Sequence, residues 1–240
     1  NYHTPTYEQV EEAERLAETL QISPILAKLL LNRAIHDPWD AKNFFHPQLH
    51  DLYDPFKLKD MDIAVKRLNQ ALGRKERIMI YGDYDVDGTT AVALVYKFLL
   101  QYYSNIDYYI PDRYEEGYGV SKKGIDYAKE TGVTLIIILD CGIKAVDEIA
   151  YAKSLGIDFI ICDHPVPDEQ LPPALAILDA KRHDNTYPYT DLSGCGVGFK
   201  FMQAFAMNNG IEFHALTSLM DLTAVSIASD IVPIMGENRI

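Results

Sequence analysis

From residue 75 onward the chain repeats one unit, a short apolar run followed by a turn and a helical stretch, and this rhythm constrains its fold more than any other feature. Segments 77–81, 106–110, 134–139, 158–162 and 175–178 are too short for helices and rich in isoleucine, so they read as strands. Segments 89–101, a stretch opening at Ser121, and 144–154 carry helical periodicity between them. Such alternation requires right-handed crossovers, which predicts an α/β domain: a parallel sheet with helices on both faces. Two more helices, 197–207 and 213–227, are expected after a glycine-rich turn.

Before residue 74 the pattern differs. Apolar spacing over 7–43 and again over 61–72 is helical, with Pro38, Pro47 and Pro55 punctuating a loop-rich passage. We therefore expect a helical N-terminal region, 1–74, ahead of the sheet domain, 75–240. The longest apolar runs, 91–96 and 135–139, fall far short of the roughly 20 residues that cross a bilayer. Three cysteines, Cys141, Cys162 and Cys195, have no CxxC spacing, and neither Cys141 nor Cys162 has a basic activator beside it in sequence. Packing thiols in a reducing compartment are expected, and with no signal-like N-terminus the expected location is cytoplasmic. A chain opening on Asn1 reads as a fragment of a longer polypeptide.

The charge balance narrows the partners. With 35 acidic against 22 basic side chains the formal charge is −13, which leaves no basic face for gripping duplex phosphates. A phosphate-handling site is compatible with this balance only where bound cations reverse the local sign. Three predicted strands lead into acidic turns: Asp83, Asp85 and Asp87 after the first, Asp140 after the third, Asp163 and His164 after the fourth. Strand ends of an open parallel sheet meet in one crevice, where ligands bind. Aspartates at alternate positions in five residues repel in a dry pocket unless a cation joins them, and oxygen donors with one imidazole suit Mn²⁺ or Mg²⁺. Asp140 alone reads first as a helix cap, but capping accounts for at most one of Asp83, Asp85 and Asp87. Phosphate-loop and dinucleotide fingerprints are absent. A receiver-like domain also has an acidic crevice, but it leaves the Asp-His pair and Asp230 unexplained.

Five ordered motifs carry a resemblance: Gly82-Asp-Tyr-Asp-Val-Asp-Gly-Thr-Thr90, Asp140-Cys-Gly142, Asp163-His-Pro165, Ser193-Gly-Cys-Gly-Val-Gly-Phe-Lys200, and Ala228-Ser-Asp-Ile-Val-Pro233 with Glu237-Asn-Arg239. In this order the chain resembles the DHH phosphoesterase superfamily and, within it, the RecJ-like exonucleases. Segments 30–33, 54–61 and 111–119 extend the likeness over nearly the whole chain. The resemblance implies a two-metal centre in which Asp85 and Asp140 serve one ion and Asp87, Asp140, His164 and Asp230 the other. Asp83 supports the first ion, and Asp163 orients His164 through its second ring nitrogen. Ser193, Gly194 and Gly196 present backbone N–H groups to a phosphate, or form only a tight strand-to-helix connection; Arg113 and Lys200 are phosphate contacts or surface charges. The implied activity is 5′ to 3′ hydrolysis of single-stranded DNA in repair and recombination. The alternatives are a phosphatase acting on small nucleotides or oligoribonucleotides and a silent metal-binding module. Two departures weaken turnover. Pro165 stands where the family motif has a second His, a loss expected to cost about 10²- to 10³-fold in rate. The chain also stops before the substrate-binding and oligonucleotide-binding domains that the resemblance leads one to expect, so its grip on single-stranded DNA is expected to be weak.

Overall fold

The computed structural model describes residues 6–240 and divides into two compact units, residues through Leu52 with Met235–Ile240, and Tyr53–Ile234. The first unit is helical: α1 (Tyr7–Leu20), α2 (Pro24–Leu31) and α3 (Pro38–Phe45). Breaks in the 7–43 stretch have local causes. Gln21 turns left-handed at φ 55°, and Pro24 and Pro38 open their helices behind the side-chain caps Ser23 and Asp37. Ala13, Leu16, Ala27, Leu30 and Ala41 form this unit's core.

The second unit runs α4 (Met61–Gly73), β1 (Arg77–Gly82), α5 (Val86–Leu99), β2 (Ile106–Tyr109), α6 (Lys122–Glu130), β3 (Val133–Leu139), α7 (Val146–Ser154), β4 (Asp158–Cys162), β5 (Ala176–Leu178), α8 (Gly194–Asn208), α9 (His214–Thr217) and α10 (Met220–Ser229). All strand pairs are parallel, in the order β2-β1-β3-β4-β5. The chain steps from β1 to β2 in one direction and through β3, β4 and β5 in the other. A single crossover hand then sends α5 to one face and α6 and α7 to the opposite face. Met79, Tyr81, Ile136, Ile138, Phe159 and Ile161 pack with Ile125 and Ile149 from α6 and α7. The alternate residues, Ile78, Ile80, Leu135, Ile137 and Ile160, are equally buried on the other face, where α5 and α8 lie. Helix α4 packs on β5 and α8, so the compact sheet unit begins at Tyr53 rather than near Arg74. Among the described residues no helix is long and apolar enough to cross a membrane.

Two helices start earlier than their periodicity predicts, and both starts shape the crevice. The Asp85 carboxylate accepts the Gly88 N–H at 2.8 Å and caps α5, which brings Asp87 into the first helical turn. The Ser193 hydroxyl accepts the Gly196 N–H at 3.1 Å, so the glycine-rich stretch is already α8.

Candidate metal centre

Four strands are each followed directly by an aspartate: Asp83 after β1, Asp140 after β3, Asp163 after β4 and Asp179 after β5. The switch in strand order lies between β1 and β3, the position where open α/β sheets bind ligands. All four side chains are buried. Asp140 takes the left-handed backbone conformation, φ 60°, which aspartate tolerates better than most residues.

The centre is organised around one imidazole nitrogen. Nε2 of His164 lies 3.1 Å from Asp140, 3.8 Å from Asp87 and 3.7 Å from Asp230, bringing together carboxylates from three separate elements. Asp87, His164 and Asp230 offer ligand atoms within 4.8 Å of one another, and so do Asp140, Asp163 and His164. Of the expected ligands, Asp87, Asp140, His164 and Asp230 thus converge. Asp85 lies outside both groups and spends one oxygen on its cap, although its charge reaches Asp140. Asp83 is wholly buried, with one oxygen 3.4 Å from the Gly119 N–H and the other unpartnered.

Several expected roles need correction. The N–H groups of Gly194 and Cys195 donate to Asp87 at 2.8 and 2.7 Å. The positive end of α8 has therefore taken an internal carboxylate, where a phosphate or no more than a tight connection was expected, and the Gly196 N–H is used by Ser193. Gly194 serves another purpose: a Cβ there would sit 2.3 Å from the Asp140 carboxylate, so only glycine lets α8 approach β3 this closely. Lys200 is buried, its ammonium donating to the Tyr53 carbonyl at 2.6 Å and lying over the Tyr187 ring, so it is a packing cation. Asp163 does not hold the second nitrogen of His164. Its oxygens accept the backbone N–H groups of Ile143 and His164, both at 2.9 Å, while Nδ1 is buried and unpartnered. Arg113 is exposed at the rim, 5.3 Å over the Tyr84 ring, which meets Tyr118 edge-on. Beside it Tyr118, Ile143, Lys144 and Pro165 line a groove of about 450 Å³.

Sequence reasoning passed over two residues. Asp179 follows the expected short strand, and the carboxylate position was its signal; one of its oxygens accepts the Lys181 N–H at 2.7 Å and the other is buried without a partner. Ser226 is buried one helical turn before Asp230 and donates to Asp87 at 2.7 Å, a contact that no local pattern announces.

Electrostatics describes a site built for positive charge. Burial, opposed by the His164 bond and reinforced by Asp87 and Asp85, pushes Asp140 up to about 8. Burial likewise raises Asp163 to about 6, against its two backbone N–H bonds, and Asp179 to about 7. For His164 burial disfavours the cation, yet the bond to Asp140 and the surrounding carboxylates win and raise it to about 9. Oxygen donors crowded around one imidazole, with two unpartnered buried carboxylate oxygens nearby, fit a hard divalent cation of the Mn²⁺ or Mg²⁺ type.

Residues 77–227 match the DHH family, N-terminal domain. The single-stranded-DNA-specific exonuclease RecJ of Bacillus subtilis (strain 168) is 41% identical over 230 residues, which are 96% of this chain and 28% of that protein. A crystal structure of exonuclease RecJ bound to manganese aligns with a TM-score of 0.69 at 32% identity, covering 80% of this chain and 47% of that one. The Thermus thermophilus RecJ in complex with Mn²⁺ aligns with a TM-score of 0.77 at 26% identity, covering 99% of this chain and 33% of that one. The chain spans less than half the length of each.

Proposed function

We propose that this chain, which belongs to the DHH family, is the metal-binding catalytic portion of a single-stranded-DNA-specific exonuclease that hydrolyses phosphodiester bonds from a 5′ end in DNA repair and recombination, in the cytoplasm. The observation that carries the reading is the convergence of Asp87, Asp140 and Asp230 on Nε2 of His164 within 3.1 to 3.8 Å. The manganese-bound RecJ structures support Mn²⁺ here, and Mg²⁺ fits the same donors. Asp87, Asp140, His164 and Asp230 would hold the cations, with Asp85 and Asp83 at the margin. Bound divalent ions supply electrophilic stabilisation of a phosphoryl group and a nucleophile at neutral pH.

The remaining residues bind and orient. Tyr84 and Tyr118 offer aromatic faces at the rim for unstacked bases, and Arg113 brings a guanidinium to the same place. Such faces read single strands, because paired bases do not present them. At −13 overall the chain binds single strands weakly and through its metals, since few cations are free to displace counterions. One residue favours a second reading, a metal-binding module without turnover: Pro165 follows His164 and brings no donor to a phosphate.

Digestion of 5′-labelled single strands in Mn²⁺ by this chain and by Pro165→His tests both. The exonuclease reading expects 5′-mononucleotides from single strands, little from duplex, and a rate at least about tenfold higher for Pro165→His. Mn²⁺ binding without hydrolysis by either form, both in this chain and in one extended to the length of its relatives, establishes the silent module instead, and hydrolysis confined to short nucleotides points to a small-substrate phosphatase.

A further inference from the structure

We infer that Ser226 is a positioning residue that sets the spacing between two cation ligands, Asp87 and Asp230; the inference rests on the reading of those carboxylates as ligands. Ser226 touches both. Its hydroxyl donates to Asp87 at 2.7 Å, and its carbonyl accepts the N–H of Asp230 at 3.0 Å. One fully buried residue of α10 thereby ties the first turn of α5 to the end of its own helix.

Proton bookkeeping fixes the direction of the link. The hydroxyl oxygens of Ser226 and Ser193 lie 2.6 Å apart, and each hydroxyl has one proton. Ser226 gives its one proton to Asp87, so the proton between the two hydroxyls is that of Ser193. Ser193 in turn accepts the Gly196 N–H at 3.1 Å. The run from Gly196 through Ser193 and Ser226 to Asp87 is therefore polarised one way, each bond strengthening the next.

Lone-pair counting shows what this leaves. A carboxylate has about four acceptor positions. Gly194 uses one on Oδ2, and Cys195 and Ser226 use two on Oδ1. The remaining position is on Oδ2, the oxygen that stands 3.8 Å from Nε2 of His164. The anchors thus present a single lone pair to the centre, and Ser226 is the anchor that also positions Asp230.

Mn²⁺ calorimetry on the whole chain, with thermal melts in chelator, tests this. Ser226→Ala is expected to weaken Mn²⁺ binding about tenfold, as loss of a group orienting a metal ligand commonly does. The metal-free midpoint should fall by no more than about 4 °C, the cost of one internal hydrogen bond in a chain this size. Ser193→Ala, which leaves the Ser226–Asp87 bond in place but also uncaps α8, should weaken binding less than Ser226→Ala while lowering the metal-free midpoint by a comparable amount. In an Asp87→Ala background Ser226→Ala should change Mn²⁺ affinity no further, which separates positioning from general stability. Mn²⁺ binding that depends on Asp87 but is unchanged by Ser226→Ala overturns the positioning role alone, as does an undiminished effect in the Asp87→Ala background. No Mn²⁺ binding by the unaltered chain, or binding indifferent to Asp87→Ala, overturns the metal-centre reading and this inference with it.

Discussion

The two ends of the sheet use the same residue types to opposite effect. At the amino ends of the strands, Arg67 of α4 donates to Glu76 at 2.6 Å and to Asp158 at 2.7 Å, and Thr134 adds a bond to Glu76 at 2.7 Å. Burial opposes ionisation of Glu76, but these partners outweigh it and hold the carboxyl below its usual range. At the carboxyl ends Asp140, Asp163 and Asp179 are all pushed upward, with one imidazole among them. One end is electrostatically closed by a guanidinium that belongs to the fold. The other keeps buried acceptors without partners, so its balancing charge must come from outside.

The largest expected effect breaks the open end. Asp140→Asn keeps a residue suited to the left-handed conformation but removes the central charge. Mn²⁺ affinity should fall by about 10³-fold, roughly 4 kcal/mol, while the metal-free melting temperature holds or rises because carboxylate repulsion is relieved. Breaking the closed end should do the reverse. Arg67→Ala strands a largely buried Glu76 and should cost about 3 kcal/mol of stability by denaturant unfolding, with Mn²⁺ affinity in the folded protein nearly unchanged.

A smaller effect separates the ends by pH. Asp140 at about 8, Asp179 at about 7 and Asp163 at about 6 lie above ordinary carboxyl values, so the folded state holds protons that the unfolded state has released. Their contribution to metal-free stability falls as pH rises from about 4 to about 8. His164, raised to about 9, adds stability that is present below its unfolded value near 6.5 and lost as pH passes the folded one. Glu76 has the opposite sign: its stabilisation is present above the unfolded value and lost on acidification through the lowered folded one. Melts in chelator should therefore decline by on the order of 5 °C between pH 6 and pH 9, and saturating Mn²⁺ should remove most of that decline.

The strands and three of the four strand-end carboxylates are legible in the sequence because both signals are local: an apolar run and the aspartate beside it. Asp179 has the same signal in weaker form, since β5 is only three residues long. What the sequence leaves open is how backbone donors are allocated. Ser193-Gly-Cys-Gly reads alike whether its N–H groups meet a phosphate or a carboxylate. The answer lies in Asp87, more than a hundred residues away in the chain, and in Ser226. Lys200 misleads for the same reason, because its burial under Tyr53 and Tyr187 is set by tertiary packing, and a lysine after a glycine-rich turn carries no mark of it.

The carboxyl end of the sheet depends on a divalent cation to complete it. Calorimetric titration of the chain with Mn²⁺, paired with a melting curve at each concentration, tests it most directly. A cation-completed site predicts micromolar or tighter binding and, at a hundredfold excess over Kd, stabilisation of about 2.7 kcal/mol, both lost in Asp140→Asn. No heat and no change in melting temperature would contradict it.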